Sequence, residues 1–429
     1  MIGADKIIEK KKEYLFPSSW GNHFYKNPPE IVKGDMQYLY DNTGKKYVDF
    51  FAGVSVMNCG HCNQEILDVT IKQMKTLQHT TIIYLTEQMV NLAERLSNIL
   101  PGDLKRLFFC CTGSEANEGA MLLARLHTGK NEFIALENGL HGRTYLTMSA
   151  TAIPMWRADP DLSPKIHFAK NTYSSSKSIE EAAKESLKSI EEIINSRGAE
   201  NIAALIAEPI QGNGGIITPP LWYFKELKAL LERNEILLII DEVQTGFART
   251  GKMFAIENYG VVPDIMTVAK ALGNGMPISA FCANEEVAKS FVKPSASTLG
   301  GNPVSSATAM AVLDYIEKND LCNKASILGD ILKSGLEKLQ TKFSIIKDIR
   351  GLGLMLGAEL QLEDGQPATE ITDIILEKLK DRGFIVGKNG INRNVLAFQP
   401  PLIITEENIN ELLDNLKDVL EEVSTEVID

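Results

Sequence analysis

Long apolar runs are missing from this sequence. No stretch approaches the roughly 20 residues that span a bilayer, which argues against a helical membrane protein. Positive charge is in deficit: 44 Lys and Arg stand against 56 Asp and Glu, a net charge of −12. That balance disfavours nucleic acid or an anionic membrane surface as a partner. Cysteine is scarce, with six in 429 residues, and the spacing builds no disulfide framework. Cys59 and Cys62 form a C-x-x-C, yet no second pair lies at zinc-ribbon spacing. They read as small core residues and no metal is expected; Cys110 and Cys111 read as buried thiols. A reducing cytoplasm is the expected home. The first 12 residues are charged, their lysines offset by Asp5, Glu9 and nearby Glu13, with no apolar export region. No internal repeat or low-complexity segment is found. A G-x-G-x-x-G after an early strand is also lacking, which removes a nicotinamide-type Rossmann protein from consideration.

With 44% hydrophobic and 23% charged residues, the chain suits a soluble globular protein of two or three domains. Apolar strand-like and amphipathic helix-like segments alternate through the middle. Strands are expected at 107–111, 133–136, 202–207, 236–240, 265–268 and 278–283, and helices at 114–126, 179–194 and 221–233. Apolar strands with helices between them predict an α/β fold whose mostly parallel sheet is covered on both faces. The C-terminal part differs, with helices near 303–318, 325–339, 369–380 and 406–423 and short strands at 353–360 and 395–398. It predicts a smaller α+β domain completed by the segment around 38–51. The expected division is 1–60, an N-terminal segment joining the small domain; 61–305, a large domain; and 306–429, the small domain.

The most informative run is Ile236 to Gly246, where five apolar residues lead to Asp241-Glu242-Val243-Gln244. A second apolar run, from Asp264 to Val268, reaches Lys270 and a Gly273-Asn274-Gly275 turn. A lysine there is not an ordinary surface charge. Partly desolvated, it is a usable nucleophile and proton carrier. It can hold an aldehyde cofactor as a Schiff base, while Asp241 keeps that cofactor's pyridine nitrogen protonated. The plain alternative for Asp241 is a helix N-cap. Both residues end core strands, where ligands gather in open α/β sheets. Cys111-Thr112-Gly113-Ser114-Glu115 leaves a strand and opens a helix, whose free amides favour an anion; an ordinary cap would look similar.

On these residues the chain resembles the class III (omega-type) aminotransferases, of the alanine–glyoxylate and 4-aminobutyrate kind. The likeness runs from Tyr38-Leu39-Tyr40-Asp41 through Gly60-His61-Cys62 and Arg350-Gly351-Leu352-Gly353 to Pro400-Pro401-Leu402. It implies a fold type I transferase using pyridoxal 5'-phosphate, with Lys270 as its catalytic lysine. It further implies that Gly113 and Ser114 cup the phosphate, Val243 packs on the ring, and Gln244 bonds the ring's phenolic oxygen. Leu140 and His141 belong to the segment stacking on the cofactor, His141 as a supporting hydrogen-bonding residue; Arg143 and Arg249 are structural. Thr298 reaches the phosphate of the neighbouring subunit, which implies a homodimer with shared active sites and leaves a tetramer open. The plain alternative there is a Gly-Gly turn.

Two departures bear on substrate. The family usually has an aromatic residue where Leu140 stands, so a stacking contribution of roughly 0.5–1.5 kcal/mol is lost. Ala397 aligns with an arginine that binds a substrate carboxylate in many relatives. Arg393 is four residues away, roughly 13 Å along a strand, and Gln399 two residues on, roughly 7 Å. Glu208, which pairs with that arginine in the family, is left as a free carboxylate, or as a strand-end glutamate held by backbone. Val54 and Tyr84 carry over as pocket walls, with plain core positions as the alternative. The expected donor is an ω-amine: a diamine, an amino sulfonate, or a β- or γ-amino acid. The acceptor is an α-keto acid, pyruvate or 2-oxoglutarate. A lyase or racemase on the same fold is the first alternative, and a binding protein that kept the fold the second.

Overall fold

The computed structural model describes residues 3–20 and 24–426. Among these residues fourteen strands form two seven-stranded sheets. In chain order they are β1 (Ile31–Asp35), β2 (Tyr38–Asp41), β3 (Lys46–Phe50), β4 (Arg106–Cys110), β5 (Glu132–Leu136), β6 (Ile166–Ala169) and β7 (Ile202–Ala207). There follow β8 (Leu237–Asp241), β9 (Ile265–Val268), β10 (Ser279–Ala283), β11 (Ile346–Leu352), β12 (Met355–Leu360), β13 (Phe384–Asn389) and β14 (Val395–Phe398).

One sheet runs β4-β10-β9-β8-β7-β5-β6. Its neighbours pair in parallel, except that β10 runs against both β4 and β9. The central strands are apolar throughout; every residue of β7 is buried, as a strand covered on both faces requires. Helix Gly113–Thr128 lays Ala116, Ala120, Met121, Leu123 and Ala124 on this sheet. Helix Ile179–Arg197 starts at a Ser178/Glu181 capping box and buries Ala183, Ile190 and Ile194. The architecture is thus mixed sheets covered by helices, as expected.

The second sheet runs β1-β2-β3-β13-β14-β12-β11. The chain's early strands therefore join its late ones, through a parallel β3–β13 pair. Strands β1, β6, β11 and β13 were not expected. β11 mixes apolar and charged residues without alternation (Ile346, Lys347, Asp348, Ile349, Arg350) and β13 ends in Gly-Lys-Asn, so neither reads as an apolar run.

Immediately after β3 the backbone takes a left-handed turn. Ala52, Gly53, Val54 and Ser55 have φ of 50°, 59°, 68° and 58°. Three of these carry side chains, and Val54 is β-branched, so the turn is strained. Asp49 secures its start: Oδ1 accepts from the amides of Phe51 (2.8 Å) and Ala52 (2.9 Å), and Oδ2 bonds His61 Nε2 (2.7 Å). Strain of this kind gathers at functional sites, and Val56, just beyond the turn, lines the cavity described next.

Candidate active site

A cavity of about 350 Å³ opens at the carboxyl ends of β7, β8 and β9. Its wall includes Gly113, Ser114, Leu140, His141, Glu208, Asp241, Val243, Gln244 and Lys270, nine residues named from the sequence. Lys270 lies one residue past Ala269 at the end of β9, with φ 47°, again in the left-handed region. The turn aims the side chain inward. Burial pushes the amine's pKa down, and the charges of Asp241 and Glu208 push it back up.

Asp241 ends β8 at 3% exposure. Its Oδ2 accepts from Asn117 Nδ2 (2.7 Å) and His141 Nδ1 (2.8 Å), and its Oδ1 from the Val243 amide (3.0 Å). Asn117 is held in turn: its Nδ2 also donates to the His141 carbonyl (2.7 Å), and its Oδ1 accepts from Thr267 Oγ1 (2.6 Å). The carboxylate is thus fixed by three donors before any ligand arrives. Asn117 had no assigned role in the sequence reading. Its signal was present: it lies three residues after Ser114 on the same helix, so it shares that helix's inward face.

The opposite end of the cavity is made for an anion. Thr112 caps helix Gly113–Thr128, its Oγ1 accepting from the Glu115 amide (3.2 Å) and its carbonyl from the Ala116 amide (3.1 Å). The amides of Gly113 and Ser114 remain ahead of the first intrahelical bonds. Ser114 Oγ accepts from the Arg143 amide (3.1 Å), which leaves its O–H to donate. Gly142, at φ 148°, lies so close that an added Cβ would sit 2.6 Å from Ser114 Oγ. At Gly113 an added Cβ would sit 2.8 Å from Val243 Cγ1. Gly113 and Val243, and Gly142 and Ser114, are therefore packed against one another at glycine contacts. A carboxylate, an amine and a helix N-terminus around one slot fit a pyridine ring that bears an aldehyde and a phosphate.

The other named residues lie elsewhere. Ala397 is fully buried beside Ile210, Ile216 and Met355, not on the cavity wall. It is flanked across the sheet by Gly357 and Gly387, and Ile216 fills the space over Gly357. Gln399 stands one step behind the wall: its Oε1 accepts from Gln244 Nε2 (3.2 Å) while its own Nε2, fully buried, has no partner among the described residues. Val54 is half-buried in the strained turn, and Thr298 is exposed. Tyr84 is 65% exposed between Ile83 at 80% and Leu85 at 101%. Arg249 is fully buried and donates to the carbonyls of Leu354 (2.9 Å) and Pro400 (2.6 Å) and to Asn58 Oδ1 (2.5 Å). Two thiols depart from expectation: Cys62 is exposed, and Cys111 is half-buried on the cavity wall. Among the described residues no cluster of His, Cys, Asp or Glu could hold a metal ion, and no helix is long and apolar enough to cross a membrane.

Comparison with known proteins agrees with this geometry. The family model for class III aminotransferases matches residues 22–420. The chain is 40% identical over 415 residues to alanine–glyoxylate aminotransferase 2 homolog 2, mitochondrial, of Arabidopsis thaliana, covering 96% of this chain and 86% of that protein. It is 38% identical to an acetylornithine aminotransferase of Caldanaerobacter subterraneus, covering 97% and 100%. A transaminase crystal structure from the marine bacterium Virgibacillus superposes with a TM-score of 0.91 at 28% identity, covering 98% and 100%. A matched slot for cofactor ring, aldehyde and phosphate, inside a fold shared over nearly the whole length, places this chain in the class III aminotransferases, pyridoxal-phosphate enzymes that transfer amino groups.

Proposed function

We propose that this enzyme takes its amino group from an ω-amine or ω-amino acid and passes it to pyruvate or 2-oxoglutarate, in two half-reactions with ping-pong kinetics. One observation carries the donor class: among the described residues, Lys270 is the sole Lys or Arg on the cavity wall. Nothing fixed there would clamp the α-carboxylate of a standard amino acid.

Pyridoxal phosphate, when bound, supplies the electron sink that lets the hydrogen on the donor's amine-bearing carbon leave as a proton. Lys270 Nζ takes that proton and redelivers it, and its lowered pKa keeps a neutral amine within reach. Asp241, held in place by Asn117 and His141, would pair with the ring nitrogen. Gly113 and Ser114 would hold the phosphate. Val243 and Leu140 would pack on the ring, and Gln244, steadied by Gln399, would bond the phenolic oxygen. The exposed apolar residues Ile83, Tyr84, Leu85 and Leu299 are a surface for a second subunit, whose cavity Thr298 reaches. The cytoplasm is the proposed compartment.

The test adds amines singly to the purified holoenzyme and follows the cofactor's visible absorption. A donor bleaches it and pyruvate restores it. Turnover that needs no keto acid would favour a lyase or racemase instead.

A further inference from the structure

We infer that Glu208 seats a second, cationic nitrogen on the donor, so that diamines are the preferred donors over amino acids and amino sulfonates. The inference rests on the donor reading above and narrows it to one class.

Glu208 follows β7, the strand next to β8, and shares a cavity with Lys270. It is 5% exposed. Its Oε1 accepts from the Leu140 amide (2.9 Å) and its Oε2 from the Gly212 amide (3.1 Å). Among the described residues no lysine, arginine or histidine nitrogen lies within ion-pair distance of it. An ionised carboxylate offers about four acceptor sites, so roughly two stay unfilled. A buried anion left this way is costly, and a cation inside the cavity would relieve it.

The neighbouring arginines are committed elsewhere. Arg350 bonds the Gly215 carbonyl (2.8 Å), Asp348 (2.7 Å) and Glu359 (2.6 Å). Arg249 is spent on two carbonyls and Asn58, and Arg393 lies over the Phe24 ring. Ala397 is packed with Ile210, Ile216 and Met355. The Glu208 carboxylate repels a carboxylate or sulfonate end and suits an ammonium, which has three donors and no acceptor.

Burial raises the Glu208 carboxyl to about 7; the remaining influences are His141, which lowers it, Asp241, which raises it, and its two amide bonds. With Lys270 these are the titratable groups facing it. A bound ammonium would hold Glu208 ionised, so the diamine should bind with proton release near neutral pH.

The test titrates holoenzyme with 1,4-diaminobutane, 1-aminobutane and 4-aminobutyrate, reading Kd by calorimetry and the cofactor's absorption in the same samples. The diamine should bind roughly 10- to 100-fold more tightly than the monoamine, with 4-aminobutyrate weakest. Glu208→Gln should bring the diamine-to-monoamine ratio to about one. Glu208→Asp keeps the charge but retracts it by one methylene, so preference should return and move to 1,5-diaminopentane. A ratio near one in the parent, or a ratio that survives Glu208→Gln, overturns the inference. The absorption separates the two readings: amines that bleach it without a diamine preference overturn only the inference, whereas a diamine preference with no bleaching supports the cation seat and overturns the donor reaction.

Discussion

Asp241 and Glu208 end adjacent strands, sit at 3% and 5% exposure, and line one cavity, yet they are furnished in opposite ways. Asp241 meets two side-chain donors, Asn117 and His141, and one amide. Glu208 meets two amides and no side-chain donor. The first is held by three donors; the second keeps acceptor capacity toward the cavity. The proposed roles, Asp241 for a resident cofactor and Glu208 for a passing substrate, call for those two arrangements.

The largest effect expected is on the amine that both acids face. Lys270→Ala should lower kcat by about 10³-fold or more for every donor, measured with pyruvate as acceptor. Next, Asp241→Asn keeps the shape and removes the charge. Cofactor retention should weaken and kcat fall by about 10²- to 10³-fold, whatever the donor. A Glu208→Gln variant that lost as much with a simple monoamine would erase the contrast between the two acids. Ala397→Arg probes the position that aligns with the family's arginine. It inserts a long cation among Ile210, Ile216 and Met355, so urea unfolding should show a loss of about 1–3 kcal/mol, with no gain in glutamate turnover. The smallest effect is on stability against pH. A glutamate titrates near 4.5 when unfolded and Glu208 near 7 when folded. With the folded pKa raised, its contribution is complete below the unfolded value and is lost as pH rises through about 7. Glu208→Gln should therefore gain Tm relative to the parent between pH 5 and 8, by about 1–3 °C. An equal difference at both pH values would mean that Glu208 carries no buried charge.

Much of the site was readable along the chain because its parts are strand ends. An apolar run that stops at Asp241, and another that stops just before Lys270, announce core strands delivering polar groups to one edge of a sheet. The Gly-Ser opening of helix Gly113–Thr128 is local in the same way, as are β7 and β8, whose unbroken apolar runs follow from burial on both faces. What escaped was not local. Asn117 is an ordinary helix residue until β8, β9 and the His141 loop surround it. Alignment put Ala397 on the pocket wall, but Ile216 and the glycines of β12 and β13 set the depth of that position. Strands β11 and β13 carry charged residues that only their pairing partners excuse.

The sequence by itself determined the α/β alternation, the carboxylate and lysine at neighbouring strand ends, and the lack of any arginine at position 397. Each is a property of residue type and spacing. Only the tertiary structure decided that Asp241 meets side-chain donors and Glu208 only amides. Hydrogen-bond partners come from segments distant in the chain, and the cost of an ionised carboxylate depends on the burial that the folded cavity imposes.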